Sequence, residues 1–344
     1  MRTFLSSIFN SRTLDLSDMR ATGAWKALIL TLCVVGAAEL VARRAIAPIG
    51  GYWEYWTPQA AAKFEGYRRM VHTGRVPGLL VVGDSTAARD IEPAALGTHG
   101  SIGAAYNLAW PANFPLAFER STLPLLQAGP TPHIVLVSFS PGAFTGTPQV
   151  KRFEQSILSS AYADPTQHRV ANVSYLARIR AALPFRHSWW TGRGLPHASA
   201  DGFMPLDGVD SAPATDADDA GTFEDARFAV VDELVATGRA HGFETIIVVP
   251  PRLDSSPHRA AIELAYVHKL QMRGYPYVDF RDAAFLQRIH FHDPSHLNRE
   301  GARIFSVHLA DVLSHMHAAQ SGHEDVRAHG SSHAPCTVCG GRAG

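Results

Sequence analysis

The chain is 344 residues long and 46% hydrophobic, ample material for one large α/β domain or two small ones. Lysine plus arginine and aspartate plus glutamate number 31 each, so no global field draws the protein to nucleic acid or anionic lipid, and nucleic acid is not an expected partner. With three cysteines, one of them Cys33 inside an apolar run, no disulfide framework holds the fold.

Residues 1–24 carry Arg2, Arg12 and Arg20, partly offset by Asp15 and Asp18, and are expected to form a cytoplasmic segment. From Ala27 to Ala38 the chain is apolar or small apart from Thr31, and after Glu39 the run continues to Ala42 before Arg43-Arg44. That is short of the ~20 residues a bilayer span needs. Snorkelling by the two arginines and the near-terminal position of Glu39 can extend it. Trp25 on one side and Tyr52, Trp53, Tyr55 and Trp56 on the other read as interfacial anchors. A single-pass membrane anchor over 25–47 is therefore expected. A cleaved signal peptide, with Ala45-Ile46-Ala47 as its small-x-small site, and a buried or interfacial helix are the alternatives. Residues 48–76 read as a linker and first helix.

From there strands and helices alternate, which predicts a parallel sheet covered on both faces. The strands are expected at Leu79–Val82, Ala105–Leu108, Ile134–Phe139, Thr245–Val249 and Tyr275–Phe280. An amphipathic helix is expected over Phe114–Gln127. A capping box, Thr222-x-x-Asp225, opens another through Val235. Ser256-Pro257 starts a helix that ends before Gly274, and Asn298 caps a last one through about Leu313. The alternation breaks down between Phe144 and Gly221. This insertion, at about 145–221, holds Trp189-Trp190 and a low-complexity stretch, and would either cap the site or decorate the surface. The last residues, 317–344, are rich in histidine, glycine and serine around Cys336-Thr337-Val338-Cys339 and read as an unstructured tail.

The chemistry gathers at two distant places. Ser85 lies in Gly83-Asp84-Ser85 at the end of an apolar run, and Asp293-Pro294-Ser295-His296 comes near the end of the domain. A hydroxyl is a poor nucleophile at neutral pH, so it needs an imidazole as general base and a carboxylate to orient that imidazole. Asp293 and His296 can supply both from one loop, which makes Ser85, Asp293 and His296 the expected catalytic residues. Backbone N–H groups at Ser85 and Thr86, where a strand runs into the next segment, can stabilise a developing oxyanion. The cluster His290-x-His292-Asp293-x-x-His296 could also suggest zinc, but no second cluster in the folded region has ligand spacing, and no metal is expected there. Asp216, Asp218 and Asp219 read as solvated linker rather than a calcium loop. Gly-x-Ser-x-Gly, a phosphate-binding loop, His-Glu-x-x-His and a dinucleotide fingerprint are all lacking, and no cofactor is expected.

Gly83-Asp84-Ser85 and Asp293-x-x-His296 resemble the first and last blocks of the SGNH (GDSL-like) hydrolase superfamily, over roughly Pro77 to Leu313. The resemblance implies a flavodoxin-like three-layer α/β/α sandwich with a parallel central sheet, over about 77–316, with Asp84 supporting the site. It also implies oxyanion donors from a second-block glycine and a third-block asparagine. Here Tyr106-Asn107-Leu108-Ala109-Trp110-Pro111-Ala112-Asn113 resembles the second block, with Ala112 where the glycine would fall. The third block departs, because the strand ending at Phe139 runs into Ser140-Pro141-Gly142-Ala143 with no Gly-x-Asn-Asp. Either another group such as Asn113 or Ser140 replaces that donor, or activity is weak. The pattern resembles membrane-anchored SGNH-like proteins of the bacterial cell envelope. That implies an esterase acting on acyl, in particular O-acetyl, esters of an envelope carbohydrate, with the catalytic domain outside the cytoplasm and envelope polysaccharide machinery as partner. An O-acyltransferase using the same residues and a catalytically inactive glycan-binding or scaffold protein are the alternatives.

Overall fold

The computed structural model describes residues 24–46, 52–99, 103–148, 150–151, 154, 198–209, 221–253 and 257–329. Trp189-Trp190, the three aspartates at 216–219 and the Cys336/Cys339 pair lie outside the described residues. The chain divides into two compact units, one made of 1–55 with 170–193 and the other of 56–169 with 194–344.

In the first unit, helix α1 (Ala24–Ile46) forms over the apolar run. Its Leu28, Leu30, Leu32 and Val34 are exposed. Among the described residues, however, no helix is long and apolar enough to cross a membrane. The expected anchor at 25–47 coincides with α1. The uncharged stretch between Lys26 and Glu39 falls short of a span, and Arg43 and Arg44 add charge within the same helix.

The second unit is built on a five-stranded sheet. Helix α2 (Tyr52–His72) leads into β1 (Leu79–Gly83), followed by α3 (Ser85–Asp90), α4 (Pro93–His99), β2 (Ala105–Asn107), α5 (Pro115–Ser121), α6 (Leu123–Ala128) and β3 (Ile134–Ser138). After the insertion come α7 (Asp225–His241), β4 (Glu244–Val249), α8 (Pro257–Met272) and β5 (Tyr277–Asp279). A small antiparallel pair, β6 (Phe291–Asp293) and β7 (His296–Leu297), then precedes α9 (Arg299–His329). The strand order is β2-β1-β3-β4-β5, all parallel, as in a doubly wound α/β sheet. Every residue of β1 and β3 is buried, as a strand covered on both faces requires. Helix α9 packs on α3 and α4, whereas α7 packs on β4, α5 and α6. Right-handed crossovers put these groups on opposite faces.

The order reverses beside β1, between the connection to β2 and the connection to β3. In such sheets ligands usually bind at that point, outside the carboxyl ends of the strands. Ser85 lies there, one residue after Asp84 at the end of β1.

Three local expectations are corrected. The helix over Phe114–Gln127 is two helices meeting at Thr122, because Pro124 has no N–H to donate and its ring crowds the carbonyl four residues back. Thr222 does not open α7. The segment 222–224 pairs instead with the end of the 3₁₀ turn Pro141–Phe144, through Gly146 N–H to Thr222 O and Glu224 N–H to Phe144 O, so the helix starts after Glu224. Helix α9 runs on to His329, past the expected start of the tail. Its start is as expected: Asn298 Oδ1 accepts the Gly301 N–H at 3.0 Å, satisfying a first-turn donor.

Candidate active site

The turn from β1 into α3 is possible because Gly83 has φ 138°, a region that disfavours side chains, and because a Cβ there would lie 1.8 Å from Ser138 O. The strand can then stay against β3 to its last residue while the chain swings into the helix. Asp84 caps α3: Oδ1 accepts the Thr86 N–H at 2.9 Å and the Thr86 hydroxyl at 2.8 Å. Its Oδ2 accepts from Ser140, the N–H at 2.9 Å and the hydroxyl at 2.7 Å. Asp84 is fully buried, so these four bonds replace the water it lost and lock the serine turn to the end of β3.

The second half of the site arrives from the far end of the unit. The tight β6–β7 hairpin, closed by Ser295 and His296 N–H groups donating to Asp293 Oδ1 at 2.8 and 3.0 Å, points the histidine back toward α3. His296 Nε2 lies 2.9 Å from Ser85 Oγ, and its Nδ1 lies 2.8 Å from Asp293 Oδ2. The structure thus brings Ser85, His296 and Asp293 into one hydrogen-bonded line across 211 residues of sequence. A loop after β4 grips the hairpin from behind: Arg252 donates to Ser295 Oγ at 2.8 Å and Leu253 N–H to Pro294 O at 3.3 Å.

Electrostatics suit the roles. Burial works to raise the Asp293 carboxyl, but the hydrogen bond and charge of His296, with the Ser295 N–H, overcome it and hold Asp293 well below the usual carboxylate range. Burial lowers the His296 imidazole and the Arg89 charge lowers it further, against the opposing pull of Asp293. Asp293 is therefore an anion and His296 a neutral base near neutrality. In that tautomer Nδ1–H donates to Asp293 and Nε2 is free to accept from Ser85.

The oxyanion side differs from expectation. The Thr86 N–H is held by Asp84, and both donors of Ser140 are held there too, so neither is aimed at a substrate oxygen. Asn113 is fully buried, with Oδ1 accepting from Ser121 Oγ at 3.2 Å and Nδ2 donating to Thr122 Oγ1 at 3.3 Å. It braces the junction of α5 and α6 instead of offering its amide. Ala112 behaves otherwise. It sits at the third position of a turn closed by Asn113 N–H to Trp110 O at 3.2 Å, with Pro111 before it and φ 61°, the conformation glycine adopts freely and alanine holds at about 1–2 kcal/mol. The Trp110 N–H bonds Gly83 O at 3.4 Å, which ties this turn to the end of β1.

Other residues near the site were not singled out from the sequence. Asn107 is fully buried and its Nδ2 donates to the Ala87 and Ile91 carbonyls at 2.8 and 2.9 Å, finishing α3. The buried Lys63 donates to Ala109 O and lies 3.5 Å from Asn107 Oδ1; burial pushes its ammonium well below its ordinary pKa, against Asp201. An asparagine or lysine carries no local sequence pattern for such a role, and only the β1–β2 pairing makes them neighbours of α3. Within the insertion, the segment 198–209 is described. It lines β2 and α3 through Asp201 O to Asn107 N–H and Ala88 O to Met204 N–H. His292 Nδ1 lies 3.1 Å from Asp207 O and His290 Nδ1 accepts the Gln287 N–H, and among the described residues no acidic, histidine or cysteine group could hold a metal ion.

No protein-family model matches the sequence, and a search of curated proteins finds no match. Among solved structures, the chain is similar to a protein from Desulfitobacterium hafniense DCB-2 described as lipolytic and of the G-D-S-L family. That likeness has 10% identity and a TM-score of 0.37 and covers 68% of this chain and 98% of the other.

Proposed function

We propose that the protein is a serine-dependent esterase that cleaves acyl esters through an acyl-Ser85 intermediate. The observation that carries this reading is the 2.9 Å approach of His296 Nε2 to Ser85 Oγ, with Asp293 on the opposite ring nitrogen. Ser85 Oγ attacks the ester carbonyl carbon as His296 Nε2 takes its proton. The tetrahedral intermediate then expels the alcohol, which receives that proton. A water, deprotonated by the same nitrogen, attacks the acyl carbon, and the proton returns to Ser85 as the acid leaves. For the oxyanion we assign the N–H groups of Ser85 and Ala112. A first-turn N–H such as that of Ser85 has no partner within its own helix, and the Ala112 turn is bonded to the same strand end. With no side-chain amide donor at this position, the rate should lie about 10²–10³-fold below that of a site with one. An O-acetylated envelope carbohydrate is the substrate this reading favours, on the resemblance of the two sequence blocks.

The test uses the full chain with a fluorophosphonate probe and p-nitrophenyl acetate. Labelling and acetate release should both vanish in Ser85→Ala and fall steeply in His296→Ala. Turnover that persists in Ser85→Ala would falsify the assignment. Acetyl groups recovered on an added oligosaccharide rather than as free acetate would mark the acceptor as a sugar hydroxyl instead of water.

A further inference from the structure

Helix α3 meets β7 twice. At its first residue, Ser85 Oγ reaches His296 Nε2; at its last, Asp90 Oδ1 accepts the N–H of Leu297, the next residue after the histidine, at 2.9 Å. Asp90 is 1% exposed and its other oxygen, Oδ2, is buried with no hydrogen-bond partner among the described residues. A buried carboxyl with half its hydrogen-bonding capacity unused is an expensive way to satisfy one backbone N–H. Its place explains it better than economy does. A single side-chain bond leaves the histidine strand free to pivot on the serine. A second bond, from the opposite end of the same short helix to the adjacent backbone, removes that freedom.

We propose that Asp90 is a positioning residue for the general base, holding the backbone of β7 against α3 so that His296 Nε2 stays in line with Ser85 Oγ. This rests on the esterase reading above. The groups facing Asp90 are Asp293, Asp84 and Arg89, with the Leu297 N–H on Oδ1. Burial raises its pKa well above the ordinary carboxylate value, the Leu297 N–H opposing and Asp293 adding to the rise.

Asp90→Leu keeps the branched shape, with a larger volume, and removes the acceptor, whereas Asp90→Asn keeps the oxygen that Leu297 uses. In p-nitrophenyl acetate hydrolysis, Asp90→Leu should lose at least about tenfold in kcat with KM within about twofold, and fluorophosphonate labelling should slow by the same factor. Asp90→Asn should recover most of both. Thermal melting of each variant checks the fold; should Asp90→Leu not fold, Asp90→Ser, whose shorter side chain falls short of the Leu297 N–H, is read the same way. A folded Asp90→Leu with kcat within threefold of the parent, or an Asn variant as impaired as the Leu one, overturns the inference. Ser85→Ala run alongside separates the two claims: if it still turns over, the esterase reading fails; if it is inert while Asp90→Leu is unimpaired, only the role of Asp90 fails.

Discussion

His296 works only as a free base, and its surroundings set the pH at which that holds. Burial and Arg89 bring its pKa below the ordinary 6.5, so the acid limb of hydrolysis should have its midpoint below pH 6.5. Arg89→Met removes one of the two lowering causes and should move that acid limb toward higher pH, read from kcat/KM profiles of parent and variant; an unmoved limb would exclude the electrostatic role. The stability signs run the same way. A histidine held neutral in the fold favours the folded state above pH 6.5, and that contribution is lost as pH falls toward its folded pKa. Asp293, depressed in the fold, contributes above the ordinary carboxylate range and loses its share as pH drops through its own lowered value. Both losses fall on the acid side.

The strand end at Gly83 carries a different kind of constraint. Its φ of 138° and the 1.8 Å clash a Cβ would make with Ser138 O mean that alanine there must push β1 away from β3 at the point where Asp84 bridges them. Gly83→Ala should therefore cost at least about 1–3 kcal/mol and abolish fluorophosphonate labelling, by urea titration and gel fluorescence. A stable, fully labelled variant would show that the turn has another route. Local pattern marked the central strands well: β1, β3 and β4 lie on apolar runs, because strands buried on both faces must be continuously apolar. At the start of α7 a local rule met a non-local partner. Thr222 and Asp225 have capping-box spacing, yet the backbone of 222–224 is paired with the segment after β3.

At the scale of the whole unit, a buried ion pair joins the described start of the insertion to the sheet helices. Arg227, at 1% side-chain exposure, pairs with Glu154 at 3% and also donates to Glu224 at 2.9 Å and to Ala143 O at 3.3 Å. Glu154 in turn accepts the Leu116 N–H at 3.4 Å, so α5, α7 and the insertion share one contact. Arg227→Met leaves the Glu154 carboxylate buried without its cation and should cost about 3–5 kcal/mol in urea unfolding at neutral pH. The double variant Arg227→Met/Glu154→Leu should regain most of that loss; a double variant as unstable as the single one would contradict this account. Glu154 and Arg227 gave no hint of partnership in sequence, being 73 residues apart with an unpatterned stretch between them.

Sequence alone determined the kinds of groups at the site and the strands that deliver them, because a nucleophile at a strand end and an Asp-x-x-His loop are local patterns whose chemistry is readable without coordinates. It did not determine which donors remain free. Thr86, Ser140 and Asn113 all carry suitable groups, and only the tertiary structure shows that buried Asp84, Ser121 and Thr122 already hold them. Nor could it reveal Asp90, whose role depends on a backbone N–H 207 residues away. Hydrogen-bond capacity is a property of residue type, but its allocation follows from which segments folding buries against one another.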